Sequence, residues 1–144
     1  IGGYGRYIMK LMKRLNLEGH VIFTGSLSEE QMIREYLNAH LFVCYSSIEN
    51  SPNSIGEAQL LGVPTIASFV GGVSDMLEHG RTGLLYRFEE VEMLAEGIRM
   101  IFASKQLAKE LSVQGIATAA KRHNQAVNCD QMMTIYHDIA GDQI

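Results

Sequence analysis

Short apolar runs rich in β-branched residues alternate with stretches of helical periodicity along most of this 144-residue chain. The four runs are at residues 21–24, 41–45, 65–68 and 83–86. They do not alternate between apolar and polar side chains, which is the pattern of parallel strands buried on both faces. Parallel neighbours also need a crossover between them, usually a helix. The sequence therefore predicts an α/β fold with a parallel sheet covered by helices on both faces.

Helices are predicted between and after these strands, from apolar residues spaced three and four positions apart. The predicted helical segments are 4–17, 29–39, one through Leu60, a short one after Val73, 91–102, 105–123 and 128–140. The second begins behind Ser28 and Gln31, which are spaced as a capping box. Only helices are predicted after Glu89.

The length and the 47% of hydrophobic residues predict one domain over residues 1–144. The chain opens on Ile1-Gly2-Gly3, which resembles the tail of a strand whose body is absent. We therefore expect a fragment of a two-domain enzyme whose sheet misses its first strand or strands. Such a sheet has bare edges, and we expect it to form homo-oligomers through them.

Charge and composition exclude several kinds of partner. The formal net charge of -4 argues against nucleic acid, which needs a concentrated excess of Lys and Arg. Cys44 and Cys129 match neither a disulfide framework nor a CxxC pattern, and the five histidines show no ligand spacing. We predict a cytoplasmic protein with no metal and no cofactor, whose partner is a small molecule.

The connection between the second predicted strand and the next helix carries residues suited to a ligand. It leaves the carboxyl end of a parallel strand, which is where α/β sheets bind ligands. We predict Ser51 as the N-cap and Pro52 in the first helical turn. The amides of Asn53 and Ser54 would then face outward at the positive end of the helix, an arrangement that binds phosphate.

Two carboxylates flank this connection, Glu49 and Glu57, with seven residues between them. A carboxylate accepts from two neighbouring sugar hydroxyls, so two such acids beside a phosphate cradle predict a nucleotide-sugar site. A structural interpretation competes with this one. Ser54 and Glu57 also have capping-box spacing, in which Glu57 only caps its own helix, and Glu49 would be a solvated loop carboxylate.

These residues resemble the C-terminal donor-binding domain of retaining glycosyltransferases with the two-domain GT-B fold, the glycosyl transferases group 1 (family 4). Glu49 and Glu57 resemble its EX7E motif, and the resemblance covers most of the chain. Four other stretches resemble its motifs: 58–68 (EA-x-x-x-G-x-P-V-V-A-S), 71–75 (GGxxE), 80–85 (G-x-x-G-x-L) and 21–25 (V-x-F-x-G). The resemblance implies a Rossmann-like donor domain.

The resemblance also implies a role for each site residue. Glu49, the candidate catalytic residue, would orient the transferred sugar and is not assigned as a nucleophile, while Glu57 would bind the ribose hydroxyls. The implied donor-binding residues are Glu57, Asn53, Ser54, Ser46, Ser26, Leu27, Gly71 and Gly72. Asn53 and Ser54 would hold the diphosphate, Ser26 and Leu27 would lie near the base, and the two glycines would let backbone approach the donor.

The implied enzyme is a hexosyltransferase of glycan biosynthesis, with its acceptor site in an N-terminal domain outside this chain. No Lys or Arg lies between His40 and Gly80, and a departing diphosphate needs positive charge, so we expect this chain alone to transfer nothing. Basic residues on one face of the first helix, Arg6, Lys10, Lys13 and Arg14, suit peripheral contact with the inner face of a membrane or, alternatively, with solvent. A GT-B nucleotide-sugar epimerase and a non-catalytic α/β interaction module remain the alternative functions.

Overall fold

The structure, a computed structural model, describes residues 3–141. The chain forms two compact units, residues 1–32 and 33–144. The prediction of one domain over residues 1–144 stays a prediction. Of the strand tail predicted at Ile1-Gly2-Gly3, residues 1 and 2 lie outside the described residues, and Gly3 is the first residue of a helix.

The first unit contains helix α1 (Gly3–Arg14) and the start of helix α2 (Glu29–Asn38). The predicted capping box is confirmed, because the Ser28 amide donates to Gln31 Oε1 at 2.8 Å and the Gln31 amide donates to Ser28 Oγ at 3.3 Å. The strand predicted at residues 21–24 is wrong. Ile22 and Phe23 are 87% and 63% exposed, and no strand within residues 3–141 pairs with this segment, so its backbone has no ladder of hydrogen bonds to join.

The second unit alternates helices with the strands of a three-stranded parallel sheet, ordered β1-β2-β3. Its elements are β1 (Phe42–Cys44), α3 (Asn53–Leu60), β2 (Thr65–Ser68), α4 (Val73–Met76), β3 (Leu84–Tyr86), α5 (Val91–Ala103), α6 (Lys105–Arg122) and α7 (Gln125–Ala140). Three of the four predicted strands are confirmed. Helix α7 begins before the predicted residue 128, because Asn124 Oδ1 accepts from the Val127 amide at 3.2 Å and caps it.

Helices cover both faces of the sheet, as predicted. Ile66 and Ala67 of β2 are consecutive, so their side chains point to opposite faces. Ala67 belongs to a buried cluster with Ile55 of α3 and with Val73 and Met76 of α4. On the other face Ile66 and Leu84 pack with Ile101 of α5 and Leu111 of α6. All four residues of β2 are buried, the polar Thr65 and Ser68 included, which explains why the strand has no exposed polar side.

Helix α3 ends in a Schellman motif that returns the chain to β2. Gly62 has φ +76, its amide donates to the Gln59 carbonyl at 3.0 Å, and the Val63 amide donates to the Ala58 carbonyl at 2.9 Å. Ala58 and Val63 then pack with Tyr36 in a third buried cluster. These contacts leave the start of α3 at the carboxyl ends of β1 and β2. No helix among residues 3–141 is long and apolar enough to cross a membrane.

Candidate functional site

The Glu49 loop, residues 45–52, connects β1 to α3 and lies where the sheet's strands end, as predicted. Ser68, the last residue of β2, donates from its hydroxyl to the Ser46 carbonyl. Since Ser68 is fully buried, this bond ties the start of the loop to the neighbouring strand. The loop is therefore anchored to the sheet on one side and to α3 on the other.

Glu49 is half-buried within this loop. Ser46 Oγ donates to Glu49 Oε1 at 2.7 Å, a short charge-assisted hydrogen bond. Ser46 and Glu49 are thus brought together, as the prediction of a shared site requires. The bond uses one carboxylate oxygen and leaves further acceptor capacity on the group.

Helix α3 begins one residue later than predicted. Pro52 is its N-cap, with φ -69 and ψ 114, and makes no side-chain capping bond, so the prediction of Ser51 as N-cap is wrong. The extended ψ of Pro52 keeps it outside the helix, and Ser51 Oγ instead lies 3.7 Å from Met76 Sδ. Asn53 and Ser54 are the first two helical residues, whose amides have no acceptor in a preceding turn.

Glu57 lies in the second turn of α3 and is exposed. The capping-box interpretation is wrong, because Ser54 sits inside the helix and cannot be its N-cap. The contact of Glu57 is with Tyr36 of α2, whose hydroxyl lies 3.5 Å from Glu57 Oε2 and 3.3 Å from the Ser54 carbonyl. Tyr36 was not among the predicted site residues, since nothing in the spacing of two separate helices indicates this contact.

The pKa of Tyr36 reflects its position. Burial raises it most, and the negative charge of Glu57 and the hydrogen bond to that carboxylate raise it further, to about 12. A phenol with this pKa stays protonated at neutral pH, so it acts as a hydrogen-bond donor. Tyr36 can therefore orient the Glu57 carboxylate.

An open depression of about 260 Å³ borders the first turns of α3 and is lined by Asn53, Gly56, Glu57, Leu60 and His123. Gly56 admits the imidazole of His123, because a Cβ on Gly56 would lie 2.6 Å from His123 Nε2. The structure thus places Asn53 and Glu57 in one concave surface, which Glu49 does not line. The sequence carried no signal for His123, which follows α6.

The glycine turn after β2 packs against the Glu49 loop. A Cβ on Gly71 would overlap the carbonyl oxygen of Glu49, and a Cβ on Gly72 would overlap that of Asn50. Gly71 also has φ +48, which favours glycine. The chain's own loop therefore requires both glycines, and their predicted approach to a donor stays a prediction.

Arg122 brings a cation from α6 to α3 and α4. Its guanidinium donates to Gln59 Oε1 at 2.7 Å and to the Met76 carbonyl at 3.0 Å, and burial lowers its pKa.

Among the described residues no group of three or more His, Cys, Asp and Glu side chains is placed to hold a metal. Ser26 and Leu27 belong to the first unit, and their role near the base stays a prediction.

Comparisons with known proteins agree with this fold. The family model for "Glycosyl transferases group 1" matches residues 1–118. Sucrose-phosphate synthase from Thermosynechococcus elongatus is 30% identical with a TM-score of 0.84, over 96% of this chain and 35% of that one. Anabaena HepE in complex with UDP-glucose is 26% identical with a TM-score of 0.83, over 94% of this chain and 36% of that one.

A curated relative is the GDP-mannose-dependent alpha-mannosyltransferase of Corynebacterium glutamicum. It is 36% identical over 84 residues, which are 58% of this chain and 19% of that protein. This chain spans about a third or less of the length of each of these three proteins. The fold class and the family implied by the sequence motifs are confirmed: the chain belongs to the glycosyl transferases group 1 family.

Proposed function

We propose that this chain binds a nucleotide diphosphate sugar and forms the donor side of a retaining glycosyltransferase that acts in glycan biosynthesis. The observation that carries the proposal is the exposed Glu57 carboxylate beside the amide-bearing start of α3, in a helix that no side chain caps. The similarity to HepE, whose structure contains UDP-glucose, supports a sugar nucleotide as the ligand.

The diphosphate would bind at the start of α3. The amides of Asn53 and Ser54 have no helical acceptor, and the helix dipole places partial positive charge at the same end. Pro52 has no N–H and contributes none. Further positive charge for a departing diphosphate would come from residues outside the Glu49 loop and α3, which contain no Lys or Arg.

Each of the two carboxylates would bind a different sugar ring of the donor. Glu57 would accept hydrogen bonds from the two ribose hydroxyls. The Tyr36 hydroxyl, 3.5 Å from Glu57 Oε2, would orient the carboxylate for this contact. Glu49 would accept from a hydroxyl of the transferred sugar with the capacity that Ser46 leaves free. Ser26 and Leu27 would contact the base.

A titration of the 144-residue chain tests the proposal. Calorimetry with UDP, GDP and ADP should detect binding of one of them, and Glu57→Gln should weaken that binding about 10-fold or more, since hydrogen bonds to charged groups contribute about 1.5–3 kcal/mol. The matched control is Glu92→Gln, an exposed glutamate in the first turn of α5, which should leave the affinity unchanged.

Two results would contradict the proposal. If Glu57→Gln binds as well as Glu92→Gln, Glu57 does not contact the nucleotide. If the wild-type chain binds none of the three nucleotides at millimolar concentration, the non-catalytic interaction module becomes the better interpretation.

The remaining expectations concern the whole protein and are part of the same proposal. They are an acceptor domain, a cytoplasmic location, contact of the basic residues of α1 with a membrane, and self-association through sheet edges. Two observations bear on them. Lys13 and Arg14 lie in the last turn of α1, where their charges also interact favourably with the helix dipole. His79 Nδ1 accepts from the Leu85 amide of β3 at 2.9 Å, so this amide of the edge strand already has a partner.

A further inference from the structure

The last residue of β2 and the segment that follows it contact the Glu49 loop at four successive places. The Ser68 hydroxyl donates to the Ser46 carbonyl. Gly71 and Gly72 lie against the carbonyls of Glu49 and Asn50, with no room for a Cβ. Further along, Met76 Sδ lies 3.7 Å from Ser51 Oγ. The loop residues contacted are 46, 49, 50 and 51, so the loop is held along most of its length.

These contacts surround a hydrogen bond that orients the Glu49 side chain. Ser46 Oγ donates to Glu49 Oε1 at 2.7 Å, and the position of Ser46 is itself set by Ser68. The carbonyl oxygens of Glu49 and Asn50 pack against Gly71 and Gly72. Any larger residue at position 71 or 72 would therefore displace the backbone that carries Glu49. Ile48, by contrast, is 89% exposed. The loop is fixed from the β2 side and open on the other.

We propose that Ser68, Gly71 and Gly72 are positioning residues for Glu49: they preform the Glu49 loop, so that its carboxylate already has the orientation needed to select the sugar of the donor. The inference rests on the proposed function, since it assigns Glu49 to that sugar. In this proposal the two glycines act by fixing the backbone of the Glu49 loop, and no contact between them and the donor is required. A preformed loop loses its conformational entropy during folding and not during binding, which raises affinity for the matching sugar.

The test separates nucleotide affinity from sugar affinity in the 144-residue chain. We would measure Kd for UDP and UDP-glucose, and for GDP and GDP-mannose, in the wild type and in Ser68→Ala, Ser46→Ala, Gly72→Ala and Glu49→Gln. Ser112→Ala, a half-buried serine of α6, is the matched control. Circular dichroism verifies that each variant is folded.

The sugar-dependent gain in affinity is the expected readout. Glu49→Gln should reduce it about 10-fold, and Ser68→Ala and Ser46→Ala about 5-fold each, the effect of losing one hydrogen bond. The affinity for the bare diphosphate should stay within about 2-fold, because the amides of Asn53 and Ser54 are unchanged. Adding Ser68→Ala to Glu49→Gln should have no further effect, because both act through one carboxylate.

A ligand-free measurement accompanies the titrations. Amide hydrogen exchange at residues 46–51 should accelerate in Ser68→Ala and Gly72→Ala and stay unchanged in Ser112→Ala. Unchanged exchange in Ser68→Ala and Gly72→Ala would overturn the positioning role, whatever the ligand data. The positioning role would also be overturned if Ser68→Ala and Ser46→Ala keep the wild-type preference for the sugar nucleotide over the bare diphosphate. A wild type that binds neither pair of ligands, and no ADP, would instead overturn the proposed function.

Discussion

Arg122→Met would remove the only guanidinium that joins α6 to both α3 and α4 among the described residues. Arg122 Nη2 lies 2.7 Å from Gln59 Oε1, and Nη1 lies 3.0 Å from the Met76 carbonyl. Gln59 is 1% exposed, and its amide nitrogen is already used by the Thr82 carbonyl at 3.3 Å. Without Arg122, the buried Gln59 Oε1 loses its donor.

The magnitude follows from these bonds. A hydrogen bond to a charged group contributes about 1.5–3 kcal/mol, and a buried acceptor left without a partner costs about 1–3 kcal/mol. Since both describe parts of the same loss, we expect Arg122→Met to lower the free energy of unfolding by about 2–4 kcal/mol. Methionine keeps most of the aliphatic volume, so the change isolates the guanidinium from its packing. At about 3 °C per kcal/mol for a chain of this size, Tm should fall by about 6–12 °C.

The assay is urea denaturation followed by circular dichroism, in a double-mutant cycle with Gln59→Leu. Replacing both partners removes the orphaned acceptor, so the double variant should be more stable than the sum of the single losses predicts, by about 1–2 kcal/mol. Arg99→Met is the matched control. Arg99 is exposed and pairs with Glu96 at 3.2 Å, and its loss should change stability by less than about 0.5 kcal/mol.

Either of two outcomes would refute this reasoning. Arg122→Met would have to be as stable as Arg99→Met, or its effect would have to add to that of Gln59→Leu with no coupling. In the first case the guanidinium is solvated and not structural. In the second, the bond to Gln59 does not exist in solution.

The remaining predictions concern Tyr36 and two glycines. Because folding raises the pKa of Tyr36 from 10.0 to about 12, the unfolded chain releases this proton first, and stability should fall as pH rises from 10 to 12. Tyr36→Phe should reduce that fall in alkaline denaturation, and Glu57→Gln should lower the pKa of Tyr36 in an ultraviolet titration; an unchanged pKa would contradict the contact. Gly62→Ala and Gly80→Ala should each lose about 1–2 kcal/mol to positive φ, with a further loss only at Gly62, where the new Cβ lies 3.2 Å from Ile116 and Ser112. Equal losses in urea denaturation would refute that packing cost.

The strands illustrate what a sequence pattern can and cannot predict. The runs at 65–68 and 83–86 were predictable because strands that are buried on both faces need continuous apolar residues. The run at 21–24 is also apolar and β-branched, yet it forms no strand among the described residues. A strand requires a paired neighbour, and apolar composition does not supply one.

Some features of the candidate site were predictable from the sequence and others were not. The position of the Glu49 loop and the placement of Asn53, Ser54 and Glu57 in the first turns of α3 followed from local rules: a ligand loop follows a parallel strand, and proline occurs where a helix starts. The N-cap did not follow from them, because serine is favoured as an N-cap and proline at the first helical position, which predicts Ser51 and not Pro52. Only the backbone of Pro52 resolved it.

The sequence by itself determined the α/β class and the family, because short-range periodicity and motif spacing carry that information. Only the tertiary structure decided that Tyr36 contacts Glu57, that Arg122 joins α3 to α6, and that Gly71 and Gly72 lie against backbone carbonyls of the Glu49 loop. These contacts join residues far apart in the chain, and their geometry depends on how helices pack on the two faces of the sheet. No local pattern encodes that packing.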